Sequence, residues 1–163
     1  MTDNNIAIKE LKADDMELLL SLRMEVLSNV FFQEKEKLSD AEWNDIRKEN
    51  EEYYQEELKK GGHVACAIYV SGELAGCGGV CLYREMPSPD NSSGKCDYLM
   101  NIYVRQEYRR QGLAKEICRY LIERAAEKGA EKIYLESSDM AVELYRSLGF
   151  EDMKGYMKLN TIK

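Results

Sequence analysis

The stretch Tyr98-Leu-Met-Asn-Ile-Tyr-Val-Arg-Gln-Glu-Tyr-Arg-Arg-Gln-Gly-Leu-Ala114 joins a β-type run to a helical one. Residues 98–104 are rich in β-branched and aromatic side chains, which favours a strand. Gly112 opens an amphipathic helix that runs to Gly129, with one apolar stripe formed by Leu113, Ile117, Leu121 and Ala125. Residues 133–135 form the next β-type run, so the order predicts a βαβ unit whose parallel strands are joined right-handedly.

The junction between this strand and this helix has the composition of an anion site. Residues 105–128 carry seven basic and four acidic side chains, a local charge of +3 in a chain of net charge -7. Free amide groups at the helix start, the positive end of the helix dipole and a glycine without Cβ together form a cradle that fits a pyrophosphate. The stretch lacks the P-loop pattern and the three-glycine dinucleotide fingerprint. From the residues alone, a solvated helix entry with a turn glycine is an equally compatible interpretation.

The rest of the chain continues the alternation of helices and strands without a repeat or a domain boundary. We therefore predict a single domain of residues 1–163 with an α/β fold built on a mixed sheet. The further predicted elements are a short β-type start at Ile6 and Ile8, a helix from Asp14, a helix from Ser39 or Asp40 to Lys60 ended by Gly61-Gly62, a strand from His63 to Val70, a turn at Ser71-Gly72, a strand from Leu74 to Tyr83, a loop from Arg84 to Lys95, a short helix capped by Ser138 or Asp139 and ended by Gly149, and a closing strand from Phe150 to Leu159.

Composition limits the function. The chain has 163 residues and a net charge of -7, which argues against general nucleic-acid binding because that affinity comes from Lys and Arg. Apolar runs of 18 residues and the features of a signal peptide are missing, so we expect no membrane partner and a cytoplasmic location. The five cysteines form no C-x-x-C pair and His63 is the only histidine, so we expect no metal.

Three segments between residues 98 and 150 resemble, in order, motifs of one enzyme family. Residues 109–114, Arg-Arg-Gln-Gly-Leu-Ala, match the pattern [QR]-x-x-G-x-[GA], and the strand at 98–104 precedes them at the family spacing. Residues 141–150, Ala-Val-Glu-Leu-Tyr-Arg-Ser-Leu-Gly-Phe, match A-x-x-L-Y-x-x-x-G-F. The sequence therefore resembles the GCN5-related N-acetyltransferase (GNAT) family, and the order of the remaining elements extends the resemblance over essentially the whole chain.

The resemblance implies a fold, an activity and a cofactor site. The fold is a central mixed sheet with splayed parallel strands, flanked by helices, and acetyl-coenzyme A (acetyl-CoA) lies between the strands at 98–104 and 133–136. The implied activity transfers the acetyl group to a primary amine, of a small molecule or a peptide, by direct attack in a ternary complex without a metal. Many family members are dimers, so a homodimer is compatible, although the sequence identifies no interface. The implied cofactor-binding residues are Ile102, Tyr103 and Val104 for the pantetheine arm, and Arg109, Arg110, Gln111, Gly112, Leu113, Ala114 and Lys115 for the pyrophosphate.

By the same resemblance, Tyr145 is the general acid that protonates the leaving sulfur. A phenol with a pKa of about 10 is protonated at neutral pH and can donate to the thiolate of the departing coenzyme A. Tyr145 lies four residues after Ala141, on the same helix face. The competing interpretation is an ordinary core aromatic, since the chain contains 11 tyrosines.

The general base does not follow from the resemblance. Many members have a Glu where this chain has Tyr98, and a phenol is a poor base at pH 7. The open candidates are Asp97, Glu25 and Glu136, each acting directly or through a water. Ser138 replaces a family Asn and is interpreted as a helix cap.

Three further features receive structural interpretations. His63 follows a Gly-Gly break and is expected to be an ordinary, partly exposed residue, and Cys77 and Cys81 are expected to be apolar strand residues without a neighbouring base. The acidic helix at 40–57 is a solvated face that could also attract a cationic acceptor. Two rival functions are a noncatalytic acyl-CoA sensor and a protein-interaction domain whose acidic helix binds a basic partner.

Overall fold

The computed structural model describes residues 5–160, in which the helices and strands follow the order expected from the sequence as far as α5, with the short helix α2 in addition. No helix within that range has both the length and the apolar character needed to cross a membrane. The elements are β1 (Ile6–Leu11), a 3-10 turn (Ala13–Asp15), α1 (Met16–Val30), α2 (Phe32–Lys35), α3 (Asp40–Lys60), β2 (His63–Val70), β3 (Glu73–Arg84), β4 (Lys95–Val104), a 3-10 turn (Gln106–Tyr108), α4 (Leu113–Glu127), β5 (Lys132–Tyr134), a 3-10 turn (Asp139–Ala141) and α5 (Val142–Ser147).

The five strands form one mixed sheet in the order β1-β2-β3-β4-β5. Neighbours from β1 to β4 pair antiparallel, and β4 pairs with β5 in parallel across the α4 connection. The β4–β5 ladder ends where Tyr98 pairs with Tyr134, while β4 continues to Val104. The predicted fold class is therefore confirmed: a mixed sheet, flanked by helices, whose two parallel strands separate part of the way along.

The ends of the long helix α3 follow from its capping residues. The Ser39 side chain accepts a hydrogen bond from the Glu42 backbone N–H, and the Glu42 carboxylate accepts one from the Ser39 N–H. At the other end Gly61 takes a left-handed φ of 71°, which a side chain would disfavour. The predicted start and stop of this helix are both confirmed.

The two faces of the sheet are covered by different helices. Val80 and Leu99 pack with Ile117 and Leu121 of α4 in one core cluster. Ala65, Cys77 and side chains of α1 and α3, among them Leu20 and Tyr54, form a second cluster on the opposite face. Because side chains alternate along a strand, Asp97 and Leu99 of β4 lie on the α4 face, and Tyr98 and Met100 lie on the face toward α1 and α3.

The predicted closing strand from Phe150 to Leu159 is wrong. Residues 150–160 are irregular, with Gly155 in a left-handed turn at φ 80°, and Met157 and Leu159 are 95% and 84% exposed. A strand at this edge would need a partner, and β5 is only three residues long. The apolar residues of the segment gave the sequence a β-type pattern that this short edge does not pair.

Candidate active site

A groove opens where β4 and β5 separate. Beyond Tyr98, residues 99–104 of β4 pair with β3 on one side and have no β5 partner on the other. This edge therefore carries backbone groups that are free to bind an extended ligand, as in strand addition. The Val104 carbonyl is an exception, because it accepts a hydrogen bond from Arg109 Nε at 2.9 Å.

A bulge interrupts β4 beside this groove. The β3–β4 register shifts between Cys77 and Gly79, and Asn101 takes a left-handed φ of 58°. Asn is the non-glycine residue that best tolerates this conformation. The sequence interpretation missed the bulge, although an Asn inside a β-branched and aromatic run was a signal for it.

The junction between β4 and α4 exposes backbone amides. Arg110 and Gly112 both have left-handed φ values, 64° and 79°. Within residues 5–160, the amide groups of residues 110–114 have no hydrogen-bond acceptor, whereas the Lys115 amide donates to the Gly112 carbonyl at 3.1 Å. A Cβ on Gly112 would have no heavy atom within 4 Å, so the space in front of these amides is open. Glycine is needed here for its positive φ, and the amides face room for an anion.

Tyr145 of α5 lies at the same end of the sheet. Its ring meets Phe150 edge-on, with centroids 5.9 Å apart, and packs against the α4-side core. Burial, with a smaller contribution from the Cys118 thiol, raises the pKa of Tyr145 to about 12, so the phenol stays protonated across the physiological range. Tyr145 also lines a cavity of about 550 Å³ together with Tyr98 and Tyr134, the last paired residues of β4 and β5.

The three candidate bases occupy different environments. Asp97 lies on the α4 face, opposite to Tyr98, is 1% exposed, and has its pKa raised to about 6 by burial. Glu25 is held by Arg105, whose Nε and Nη2 each donate to one carboxylate oxygen at 3.0 Å. Glu136 is exposed and lines the same cavity as Tyr98 and Tyr145. Of the three, only Glu136 combines an unpaired carboxylate, among the described residues, with a position beside the groove.

A second, smaller cavity lies between α1, α3 and the middle of the sheet. It measures about 120 Å³, and none of its seven lining residues is acidic: Arg23, Asn50, Tyr53, Tyr54, His63, Met100 and Asn101. Sequence reasoning did not find this group, because its members come from four elements and share no motif.

His63 in this cavity is buried, so its interpretation as partly exposed is wrong. It is 6% exposed, its Nδ1 lies 3.0 Å from the Tyr53 hydroxyl, and the rings of Tyr53 and Tyr54 both meet it edge-on. Gly79 leaves the room that the imidazole occupies, since a Cβ there would come within 2.8 Å of its Nε2. Burial lowers the pKa of His63 to about 4, so the ring is neutral at physiological pH.

Cys77 and Cys81 lie in strand β3, as the sequence interpretation expected. The five cysteines are free, and burial raises the pKa of Cys77 to about 12, which disfavours a nucleophilic thiolate. Within residues 5–160 no group of three or more His, Cys, Asp or Glu is placed to hold a metal ion.

Known proteins resemble this chain in sequence and in fold. Residues 25–150 match the family model described as the acetyltransferase (GNAT) family. The uncharacterized N-acetyltransferase YjgM of Escherichia coli (strain K12) is 33% identical over 55% of this chain and 52% of its own length. The thialysine N-epsilon-acetyltransferase of Sus scrofa is 39% identical over 45% of this chain and 56% of its own length. The chain thus spans about half the length of these curated relatives.

Among solved structures, the fold is close to a protein of Clostridium acetobutylicum that is described as a predicted acetyltransferase and was crystallised with acetyl-CoA. The TM-score is 0.81, the sequence identity is 24%, and the match covers 96% of each chain. At this identity the likeness concerns the fold.

Proposed function

The chain belongs to the acetyltransferase (GNAT) family, and on that premise we propose that it transfers an acetyl group from acetyl-CoA to a primary amine by direct attack in a ternary complex. The observation that carries the proposal is the end of β4–β5 pairing at Tyr98 and Tyr134, next to the free amides of residues 110–114. A free strand edge that leads to an anion cradle suits a ligand with an extended arm and a pyrophosphate.

The residues present fit acetyl-CoA, which supplies an activated acetyl thioester. Backbone groups of Ile102, Tyr103 and Val104 line the free edge of β4 and would hold the pantetheine arm. The residues for the pyrophosphate are Arg109, Arg110, Gln111, Gly112, Leu113, Ala114 and Lys115. Two of these residues have one donor already in use. The Arg109 Nε donates to the Val104 carbonyl and the Lys115 backbone N–H donates to the Gly112 carbonyl, so only their other side-chain donors would bind phosphate.

We assign Tyr145 as the residue that assists the leaving sulfur. With its pKa at about 12, full proton transfer to an ordinary thiolate of pKa about 8.5 would be uphill by about 5 kcal/mol. Tyr145 therefore acts by donating a hydrogen bond to the sulfur as negative charge develops there, and solvent supplies the final proton. A backbone amide on the free edge of β4, near Val104, would donate to the thioester carbonyl oxygen.

For the general base we favour Glu136, acting directly or through a water. Its carboxylate borders the cavity that contains Tyr98 and Tyr145, whereas Asp97 lies on the other face and Glu25 is engaged by Arg105. A carboxylate that is ion-paired, or that is buried on the face opposite to Tyr98, is poorly placed to accept the proton of an attacking amine.

The test is a coenzyme A release assay across amine classes, combined with calorimetric titration of coenzyme A. The proposal predicts cofactor binding and amine-dependent release of thiol. The replacement of the family Glu by Tyr98 favours a second candidate, a noncatalytic acyl-CoA sensor, which predicts binding without release for every amine. Absence of coenzyme A binding would contradict both and favour a protein-interaction domain.

We further propose that residues 1–163 act as one domain in the cytoplasm, where the five free cysteines would remain reduced. A homodimer stays a prediction, which light scattering of the purified chain would check.

A further inference from the structure

The 120 Å³ cavity between α1, α3 and β4 holds one charge, the guanidinium of Arg23. Its Nε donates to the Asn50 side-chain oxygen at 3.1 Å, and its Nη1 donates to the Asn101 side-chain oxygen at 2.9 Å. Within residues 5–160 no carboxylate lies within 4.0 Å of Arg23, and its Nη2 has no hydrogen-bond partner. Two amide oxygens thus orient this half-buried cation without neutralising it.

The field of Arg23 reaches the groups around it. Burial raises the pKa values of Tyr54 and Cys77 and lowers that of His63, and the positive charge of Arg23 makes a smaller, lowering contribution to all three. Tyr54 and His63 are its neighbours in the cavity lining. His63 itself is neutral and hydrogen-bonded to Tyr53. A half-buried cation without a counter-charge is costly unless an anion binds it, so the cavity has the charge of a carboxylate site.

The volume restricts the ligand group. A water molecule occupies about 30 Å³ in the liquid, so this cavity holds about four waters, which suits one carboxylate and its first carbon atoms. A sugar ring or a bulky polycation would have to remain outside.

The position of Arg23 connects the cavity to the groove. The guanidinium is bonded to Asn101, the bulged residue of β4, and the free strand edge assigned to the pantetheine arm begins at the next residue, Ile102. An acceptor anchored at Arg23 would therefore extend along the α1/α3 face toward the thioester.

On the premise of the proposed function, we propose that Arg23 binds a carboxylate of the acceptor, so that the amines acetylated are amino acids or amines of amino-acid type. Arg23 donates from Nη2 while Nε and Nη1 fix its plane against Asn50 and Asn101. The acidic face of α3 would attract the ammonium group of the same zwitterion.

A structural rival assigns Arg23 only to holding the Asn101 bulge. The two differ in what the arginine distinguishes. A carboxylate site discriminates between an acid and its amide, whereas a bulge support affects every acceptor equally.

The test compares lysine, ornithine and alanine with their C-terminal amides, in wild type and in Arg23→Gln and Arg23→Lys. We expect kcat/KM of wild type to favour at least one acid over its amide by about 10- to 100-fold, the strength of a charge-assisted hydrogen bond. In Arg23→Gln the kcat/KM of the acid should fall while that of the amide stays unchanged, so the preference is lost. Arg23→Lys should keep part of the preference. The amide of alanine has the less basic, more readily deprotonated α-amine, so any bias of the assay runs against the proposal.

Arg47→Gln is the matched control. Arg47 also lies between α1 and α3, but it contacts the carboxylates of Glu17 and Glu51, so its loss should leave the acid preference unchanged. Circular dichroism and thermal melting of each variant check that the fold is retained.

The outcomes separate this inference from the proposed function. Equal rates with acid and amide in wild type, or an equal loss of both in Arg23→Gln, would overturn the carboxylate site while leaving acetyl transfer intact. If no amine releases thiol, calorimetry of lysine and lysinamide on the coenzyme A-loaded protein decides: lysine-specific binding that Arg23→Gln abolishes supports the site without the enzyme, and no such binding overturns it.

Discussion

The β4–α4 junction and the cavity at Arg23 build their sites from different groups. At the junction the free groups are backbone amides, exposed by left-handed residues at Arg110 and Gly112. In the cavity they are side chains, and Arg23 and Asn101 are brought together from positions 78 residues apart. A backbone-built site tolerates most side-chain changes but depends on unusual φ angles. A side-chain-built site can change its ligand through one substitution.

The largest expected effect concerns the β4–α4 junction, where the site is built from backbone amides. Gly112→Val puts a β-branched residue at a φ of 79° and fills the open space in front of the amides. We expect coenzyme A affinity, measured by calorimetry, to fall by at least about 100-fold, since the strain and the blocked amides act together. Gly72→Val is the control, because Gly72 has a φ of 86° and equally open surroundings in the β2–β3 turn. If Gly112→Val binds coenzyme A as tightly as wild type, the backbone amides of the junction do not form the binding site.

Tyr145→Phe tests whether the proposed acetyl-CoA site depends on a side chain as well as on backbone amides. We expect kcat for thiol release to fall about 100-fold, with KM for acetyl-CoA unchanged, because the hydroxyl is assigned to the transition state. Tyr120→Phe on α4 removes the hydroxyl of another partly buried tyrosine and should retain activity. If kcat for thiol release is the same in Tyr145→Phe and wild type, the Tyr145 assignment is wrong and the proposed acetyl-CoA site acts through its backbone groups alone.

Each face of the sheet carries a buried or half-buried charge: Asp97 on the α4 face and Arg23 on the α1/α3 face. Asp97→Asn tests what the first of these charges costs the fold. Asp97 is 1% exposed, its Oδ2 has no partner among the described residues, and burial raises its pKa from 3.8 to about 6. Because the folded pKa lies above the unfolded one, this group makes folding less favourable as pH rises from about 4 to about 6, and the cost persists above. Asp97→Asn should therefore stabilise the fold at pH 7 by up to about 3 kcal/mol, the value of a pKa shift of about two units.

Urea unfolding of wild type and Asp97→Asn between pH 4 and pH 8 measures this effect, with exposed Asp45→Asn as control. The readout is the difference between the curves, since His63 gives the opposite slope over the same range: its folded pKa of about 4 makes stability fall as pH drops below about 6.5. A difference that does not change with pH would contradict the assignment.

The smallest expected effect concerns the cavity wall. Tyr53→Phe removes the hydroxyl that lies 3.0 Å from His63 Nδ1 and should lower the free energy of unfolding by about 1 kcal/mol. Tyr54→Phe, on the next residue of α3, is the control, because its hydroxyl has no partner among the described residues. Coenzyme A affinity should be unchanged in both variants, which would confirm that changes in the cavity at Arg23 do not affect binding at the β4–α4 junction.

The same contrast explains what could be predicted from the sequence. The strand, the helix and the glycine at the junction lie within residues 98–129, so periodicity and local turn chemistry predicted them. The bounds of α3 followed from Ser39 and Gly61, whose capping roles are also local. The splay of β4 and β5 came from the family resemblance, and the register confirms it.

The features that could not be predicted depend on contacts distant in sequence. His63 is buried because Gly79 leaves room for it and α3 covers it, and neither fact is visible from its own neighbours. The closing strand at 150–159 failed for a related reason, since a β-type pattern forms a strand only where an edge pairs with it.

The ion pair between Glu25 and Arg105 has a mechanical consequence. Arg105 directly follows β4 and also donates from Nη1 to the Leu74 carbonyl, while Glu25 lies two residues after Arg23 on α1. The pair therefore links the end of β4 to the helix that bears Arg23. Because a partly exposed ion pair contributes about 1 kcal/mol or less, we expect a ligand that binds along β4 to change the affinity for a second ligand at this helix by at most about fivefold.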